Sequence, residues 1–195
     1  MKRETLRPLV HAAVLGFVFL APVLGTWGMA GAAFAAALVN AFLLPATALG
    51  KALRREGEPR LGGLVTYPLA VALGYALFPP VLASTAWTVM ALGDPAAALV
   101  GGGRDWKARI PWNRRKSAAG SLAFLLAAWV GVLGVLCASR FLDGRPTEAS
   151  PCLAIGGATA LIGAAVESLP IPWDDNLPVV LAVGGAMTWA IPMFA

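Results

Sequence analysis

The sequence predicts an all-α fold, a multi-pass transmembrane helical bundle that forms a single domain over residues 1–195. Three observations predict it. The 195 residues are 58% hydrophobic and only 13% charged, with a mean hydropathy of +0.74, whereas soluble domains run at roughly 45–50% apolar and 25% charged. Apolar stretches of about 20 residues, long enough to cross a hydrocarbon core, recur along the whole chain. The cations are also unevenly placed: thirteen of the fifteen Lys and Arg fall at the N-terminus or in the second and fourth connections between these stretches.

With Pro, Gly and charge as punctuation, hydropathy predicts seven spans at 8–24, 27–50, 63–79, 81–101, 119–139, 151–166 and 177–194. The opening MKRETLRPLVHAAVLGFVFLAPVLG has the basic start and apolar run of a secretory signal. Further apolar spans follow at once, so it reads as the first transmembrane helix. Lys2, Arg3 and Arg7 precede it. Lys51, Arg54, Arg55 and Arg60 occupy the second connection, and Arg104, Lys107, Arg109, Arg114, Arg115 and Lys116 the fourth. Only Arg140 and Arg145 lie on the other side. The positive-inside rule then places the N-terminus in the cytoplasm and the C-terminus outside, a pattern that suits a bacterial inner membrane. Cys137 and Cys152 flank one short connection and are expected as apolar thiols; a disulfide would need that connection to face an oxidising compartment.

Within this frame one carboxylate stands out. ALGDPAAALVGGG, residues 91–103, places Asp94 in an otherwise apolar, glycine-rich run, and an ionised group inside a span usually faces a cavity or a partner. Asp is favoured at a helix N-cap and Pro at the first helical position. Gly93-Asp94-Pro95 is therefore expected as a break followed by a short helix through Val100, lining a protein cavity or simply capping a helix near the membrane surface.

The next stretch, GGGRDWKARIPWNRRKSAAGS, pairs glycines that let backbone amides approach an anion, Gly101 first among them, with Arg114, Arg115, Lys116 and Ser117. These lie at the expected N-terminus of the fifth span, an end that favours anions. It reads as a polyphosphate cradle, or as membrane-anchoring charges with Ser117, Gly120 and Ser121 as helix-packing residues. The sixth connection, ESLPIPWDDNLP, carries Glu167, Asp174, Asp175 and Asn176 and no cation. Such hard oxygens suit magnesium, usually together with waters and substrate phosphates, although paired acids also occur in plain solvated loops. Topology places this acidic connection on the same face as the cationic one. His11, the one histidine, shares a helix face with Arg7 four residues before it, and fits a structural or a catalytic role.

With these residues assembled, the chain resembles the CTP-dependent lipid kinases that include dolichol kinase, phytol kinase and the yeast-type diacylglycerol kinase, and is distantly similar to phosphatidate cytidylyltransferase. The resemblance runs in order through ETLRPLVH, REGEPRLGGLVTYPLAVAL, ALGDPAAALVGG, IPWNRRKSAAGSLAF and VESLPIPWDDNLPVVL. Pro8 stands where the family usually has a lysine, and Pro95 where it often has a small residue. The resemblance implies a nucleotide and metal site made of Asp94, Lys116, Ser117, Gly120, Asp174, Asp175 and Asn176, with CTP as phosphoryl donor, Mg2+ as cofactor and a lipid alcohol as acceptor.

From charge, Asp174 and Asp175, with Glu167 and Asp94 as further candidates, are expected to face the metal. Lys116 and Arg115 would neutralise phosphates, and Asn176, Ser117, Gly93, Gly101 and Gly120 would support the nucleotide. Asp94 is the first expectation for the group that orients or deprotonates the lipid hydroxyl, and His11 the second. The expected partners are the lipid alcohol, the nucleotide and the membrane; nucleic acid is not among them, and a homodimer is compatible with the sequence. Two other readings stay open at this level: cytidylyl transfer to a lipid phosphate, and a small-solute transporter, for which an intramembrane acid and a broken helix would also serve.

Overall fold

The computed structural model describes residues 3–53, 62–102, 108–142, 144 and 149–190. Of the cations used above, Lys2, Arg54, Arg55, Arg60, Arg104, Lys107 and Arg145 lie outside the described residues, as does most of REGEPRLGG. The fold is an all-α membrane helical bundle: α1 (Arg3–Val14), α2 (Ala21–Leu38), α3 (Ala48–Leu53), α4 (Gly63–Leu77), α5 (Pro80–Gly101), α6 (Ala118–Leu142), α7 (Ala149–Glu167) and α8 (Asn176–Ala190). A two-stranded antiparallel hairpin, β1 (Arg109–Ile110) and β2 (Asn113–Ser117), precedes α6.

Helices α4 to α8 follow the third to seventh expected spans to within a few residues. The start of α5 has a local cause. Phe78 is held extended (φ −122°, ψ 150°) before Pro79, as the residue ahead of a proline must be, and Pro80 then opens α5 at a position where its missing N–H costs nothing. The first two expected spans are also helical and part at Gly25, between their expected ends. They form one helical run from Leu6 to Ala46, with 3-10 turns at Leu15–Leu20 and Leu44–Ala46 and a π turn at Val39–Leu43. The run doubles back at Gly25, whose φ of 63° and ψ of −176° fall in a region open essentially to glycine alone, so that α3 returns to touch α1.

Among the described residues three segments are long and apolar enough to cross a membrane, Leu6–Ala46, Ala118–Leu142 and Ala149–Glu167, with Gly63–Leu77 and Asn176–Trp189 as shorter apolar helices. Helix α5, expected as a span, is not among them because it carries Ser84, Thr85, Thr88 and Asp94 along its length. It is the centre of the bundle, packed on α1, α4, α6, α7 and α8, and its residues 82 to 91 are buried on every side. A helix buried all round has no polar face, and its hydroxyls are satisfied locally. Thr85 and Thr88 donate to the carbonyls of Val81 and Ser84, and Ser84 shares a hydrogen bond with the Tyr75 hydroxyl at 2.8 Å.

The expected break at Gly93-Asp94-Pro95 is absent: α5 continues through all three residues to Gly101. Packing explains this. Phe124 of α6 lies so close to Gly93 that a Cβ there would sit 2.6 Å from the ring, and both Gly93 and Pro95 are buried. Neighbouring helices therefore hold the backbone helical where the local sequence favours interruption.

Phe17, Phe19, Val23, Phe34, Val130 and Leu161 are exposed, as a bundle that presents its sides to lipid requires. Trp112 and Trp173 are exposed at the end bearing the hairpin, and Trp27 and Trp189 at the other, the two aromatic belts of a membrane-embedded protein. Among the described cations, Arg7, Lys51 and Arg109 to Lys116 sit at the hairpin end and Arg140 at the far end, in the last turn of α6. No disulfide joins Cys137 and Cys152.

Candidate active site

The cationic and acidic segments meet at one end of the bundle. Within the stretch expected as a polyphosphate cradle, residues 109–117 form a hairpin closed by Pro111 and Trp112, and the side chains of Asn113, Trp112 and Lys116 dock it on the end of α7 and the connection to α8. The buried Asn113 side chain donates from Nδ2 to the carbonyls of Ser168 (3.2 Å) and Leu169 (3.0 Å), while its Oδ1 accepts from the Arg115 amide at 3.2 Å. Trp112 Nε1 donates to Ser168 Oγ at 3.3 Å. Lys116 Nζ donates to Glu167 Oε1 at 2.5 Å and to Asp175 Oδ2 at 2.8 Å.

Burial works against the Lys116 charge, yet the Asp175 and Glu167 carboxylates outweigh it and hold the pKa above the ordinary lysine value. The stabilisation from this ammonium is therefore complete below the unfolded value of about 10.4 and is lost only as the pH rises through the higher folded value. At neutral pH Lys116 is a fixed cation.

A second group forms where α1, α4 and α5 converge. His11 is buried, and its Nδ1 lies 3.8 Å from Asp94 Oδ2. That is an ion-pair distance, too long for a direct hydrogen bond. The His11 ring stacks on Tyr67 with centroids 4.3 Å apart. Tyr67 in turn donates its hydroxyl to the His11 carbonyl at 3.2 Å and accepts from Trp87 Nε1 at 2.9 Å. Trp87 and Asp94 are seven residues apart on α5 and so share a face. The histidine ring is thus clamped from behind while its nitrogen faces a carboxylate that is about one-third exposed.

The third group is the start of α8. Asp174 Oδ1 accepts the Asn176 amide at 2.9 Å, and Asn176 Nδ2 donates to Thr66 Oγ1 at 3.3 Å, which ties α8 to α4. Gly63 makes room for this cluster: a Cβ there would lie 2.7 Å from Asp174 Oδ2 and would run into the Arg7 guanidinium. Burial, with Asp175 alongside, holds the Asp174 carboxyl above its ordinary pKa despite the Asn176 amide, Thr66 and Arg7. A cation placed beside it would favour the charged form.

All three groups line one polar cavity of about 660 Å³. It is bordered by the cations Arg7, Arg114, Arg115 and Lys116, by Asp94, Asp174 and Asp175, and by His11 and Asn176. Of the residues expected from sequence, Asp94, His11, Lys116, Arg115, Asp174, Asp175 and Asn176 are brought together. Glu167, Gly93, Gly101, Ser117 and Gly120 are not.

Glu167, expected at the metal, is the buried last residue of α7 and accepts from Lys116 and Ser121. Ser117 is the N-cap of α6, its Oγ accepting the Gly120 amide at 3.1 Å. Gly101 and Gly120 face each other where α5 and α6 cross, and a Cβ on Gly101 would lie 3.2 Å from the Gly120 Cα. They let the helices touch and leave no space for a phosphate between them. Gly93 is filled by Phe124.

Among the described residues no three His, Cys, Asp or Glu side chains converge on one metal-sized space. Asp94, Asp174 and Asp175 nevertheless present oxygens to the same cavity. Magnesium is commonly held this way, by one or two carboxylates with waters and substrate phosphates, so the donor set fits that ion.

Sequence reasoning passed over Asn113, Tyr67 and Trp87. Asn113 is an unremarkable polar residue in a cationic run until its partners, 55 and 56 residues away, are in view. Asn113→Ala is expected to undock the hairpin and to lower stability by about 1–3 kcal/mol, the loss of two buried hydrogen bonds; thermal unfolding in detergent would check this.

No family model matches the chain, and no solved structure matches it. Curated relatives do. A probable chloroplastic phytol kinase 1 of Glycine max is 31% identical over 152 residues, covering 74% of this chain and 50% of the relative. A probable phytol kinase 2 of Oryza sativa subsp. japonica is 34% identical, covering 69% and 45%. A probable phytol kinase 3 of Glycine max is 32% identical, covering 90% and 59%. The chain thus spans about half the length of the curated relatives it matches. Their names place them in chloroplasts and lend no support to the expected bacterial inner membrane. Similarity of this degree along most of the chain, on an all-helical membrane fold, carries one conclusion: the chain belongs to the family of membrane lipid kinases that includes the phytol kinases.

Proposed function

We propose that the protein transfers the terminal phosphoryl group of a nucleoside triphosphate, CTP by family expectation, to the hydroxyl of an isoprenoid or related lipid alcohol. The observation that carries this reading is the position of His11. It lines both the polar cavity and an apolar groove among the membrane helices, and at that junction a lipid hydroxyl would meet a phosphate. Trp112 and Trp173 at the cavity rim support a depth at the headgroup level, and the cations at that end favour the cytoplasmic side.

In the reaction the lipid oxygen attacks the γ-phosphorus, the bond from that phosphorus to the β–γ bridging oxygen breaks, and the nucleoside diphosphate leaves. The hydroxyl proton passes to Asp94, which His11 orients. Phosphoryl transfer is chiefly positioning and charge stabilisation. Lys116, Arg114, Arg115 and Arg7 supply the positive charge for the phosphates, and Asn176 a hydrogen-bonding side chain. Asp174 and Asp175 would hold Mg2+, which when bound neutralises charge on the phosphates. Lys116 is engaged by Glu167 and Asp175 in this structure, so the triphosphate competes with Asp175 for it.

The test is transfer of label from γ-labelled CTP, with ATP in parallel, to phytol, geranylgeraniol, long polyprenols and diacylglycerol. It would use protein purified in detergent with Mg2+, and Asp175→Asn as control. Labelled lipid that disappears in the control supports the reading. Label entering lipid only from α-labelled CTP, or from neither donor, overturns it.

A further inference from the structure

Two apolar grooves approach the polar cavity from within the membrane helices. One, of about 400 Å³, runs between the first helical run and α4, with Val14, Phe17 and Leu20 on one wall, Met29 and Ala36 of α2 on another, and His11 at its head. The other, of about 420 Å³, lies between α4 and α8, with Leu69, Leu73 and Leu177 along it and Asp174 at its head. Both have the hydrocarbon walls that a lipid tail fits. Only the first shares a residue with the His11–Asp94 pair.

Resting on the lipid-kinase reading above, we propose that the acceptor's hydrocarbon tail lies in the first groove and that Ala36, with Ala32 one turn before it on α2, sets the length and bulk of tail accepted. The head of the groove is fixed by reach. A hydroxyl placed beside His11 and Asp94 continues directly into it, whereas the second groove ends at a carboxylate already occupied in capping α8 and facing Arg7.

Among the described residues the walls are almost wholly apolar. The Tyr67 hydroxyl is taken up by His11 and Trp87, and Asn40 Nδ2 by the Leu64 carbonyl at 2.7 Å. The length also matches. From His11 to Leu20 the helical chain, α-helical and then 3-10, advances about 16 Å, close to half of a hydrocarbon core of about 30 Å, so the groove holds a tail lying within one leaflet. Ala32 and Ala36 are exposed on this wall, where a larger side chain would enter the groove and not the core.

The experiment compares Ala36→Trp with the wild type on geranylgeraniol and on geraniol, an alcohol with half as many isoprene units. Ala32→Phe serves as a second variant and Leu73→Trp as the matching plug in the other groove. All are first checked for a monodisperse profile in detergent.

The expected result for Ala36→Trp, or for Ala32→Phe, is a KM for geranylgeraniol raised by about tenfold or more, the discrimination that pocket shape can supply. The KM for nucleotide and the turnover of geraniol stay within about twofold of wild type, and Leu73→Trp resembles wild type. Unchanged KM for geranylgeraniol in both α2 variants, equal losses on the two alcohols, or an effect confined to Leu73→Trp would each overturn the proposal; the last would move the tail to the α4–α8 groove. These outcomes are distinct from failure of the kinase reading, in which the wild type labels neither alcohol.

Discussion

Asp94→Asn is expected to lower kcat for lipid phosphorylation by about 10²- to 10⁴-fold, the range contributed by a positioned general base, with the KM for nucleotide near wild type. The substitution is nearly isosteric and the side chain is about one-third exposed, so the fold should survive it. Asp94 is the carboxylate that faces His11 across the polar cavity, and His11 sits at the junction of that cavity with the apolar groove. The 3.8 Å separation of the pair leaves space for a hydroxyl to approach, and catalytic contacts commonly tighten only when substrate is bound. Rates measured on Asp94→Asn and on His11→Ala separate the roles. A larger loss for the carboxylate assigns the proton to Asp94, and a larger loss for the imidazole reverses the assignment. Near-normal turnover of Asp94→Asn would sink it.

Lys116→Met is expected to act twice. On the proposed reading it removes a cation that faces the phosphates, an effect on the order of 10²- to 10³-fold in kcat when a preorganised charge-stabilising group is lost. It also strands Glu167, only 2% exposed, as a buried carboxylate without its ammonium, at a cost on the order of 3 kcal/mol. Thermal unfolding and kinetics on the same samples check both effects. The double variant with Glu167→Gln should recover most of the lost stability, because the stranded charge is gone, and none of the activity. Recovery of activity as well would mean that Lys116 serves only the fold.

Much of this architecture is legible along the chain. Five helices fall at the expected spans, and the motif residues Asp94, Lys116, Asp174, Asp175 and Asn176 converge on one cavity. The expectations that differ share a cause. At Gly93-Asp94-Pro95 the local signal for a break is real, yet Phe124 packed on Gly93 keeps the backbone helical. In the same way Gly101, Ser117 and Gly120 carry the composition of a phosphate loop, and their neighbours turn them into a helix crossing and its cap.

The sequence by itself determined that the chain is helical and membrane-embedded, roughly where each helix lies, and that cationic and acidic segments share one end, because span length, hydropathy and loop charge are local properties read against the bilayer. The tertiary structure alone decided which of those groups meet. Lys116 finds Glu167 across 51 residues of sequence, His11 finds Tyr67 across 56, and Thr66 finds Asn176 across 110. Such pairings depend on how whole helices pack, and no local pattern in the chain specifies them.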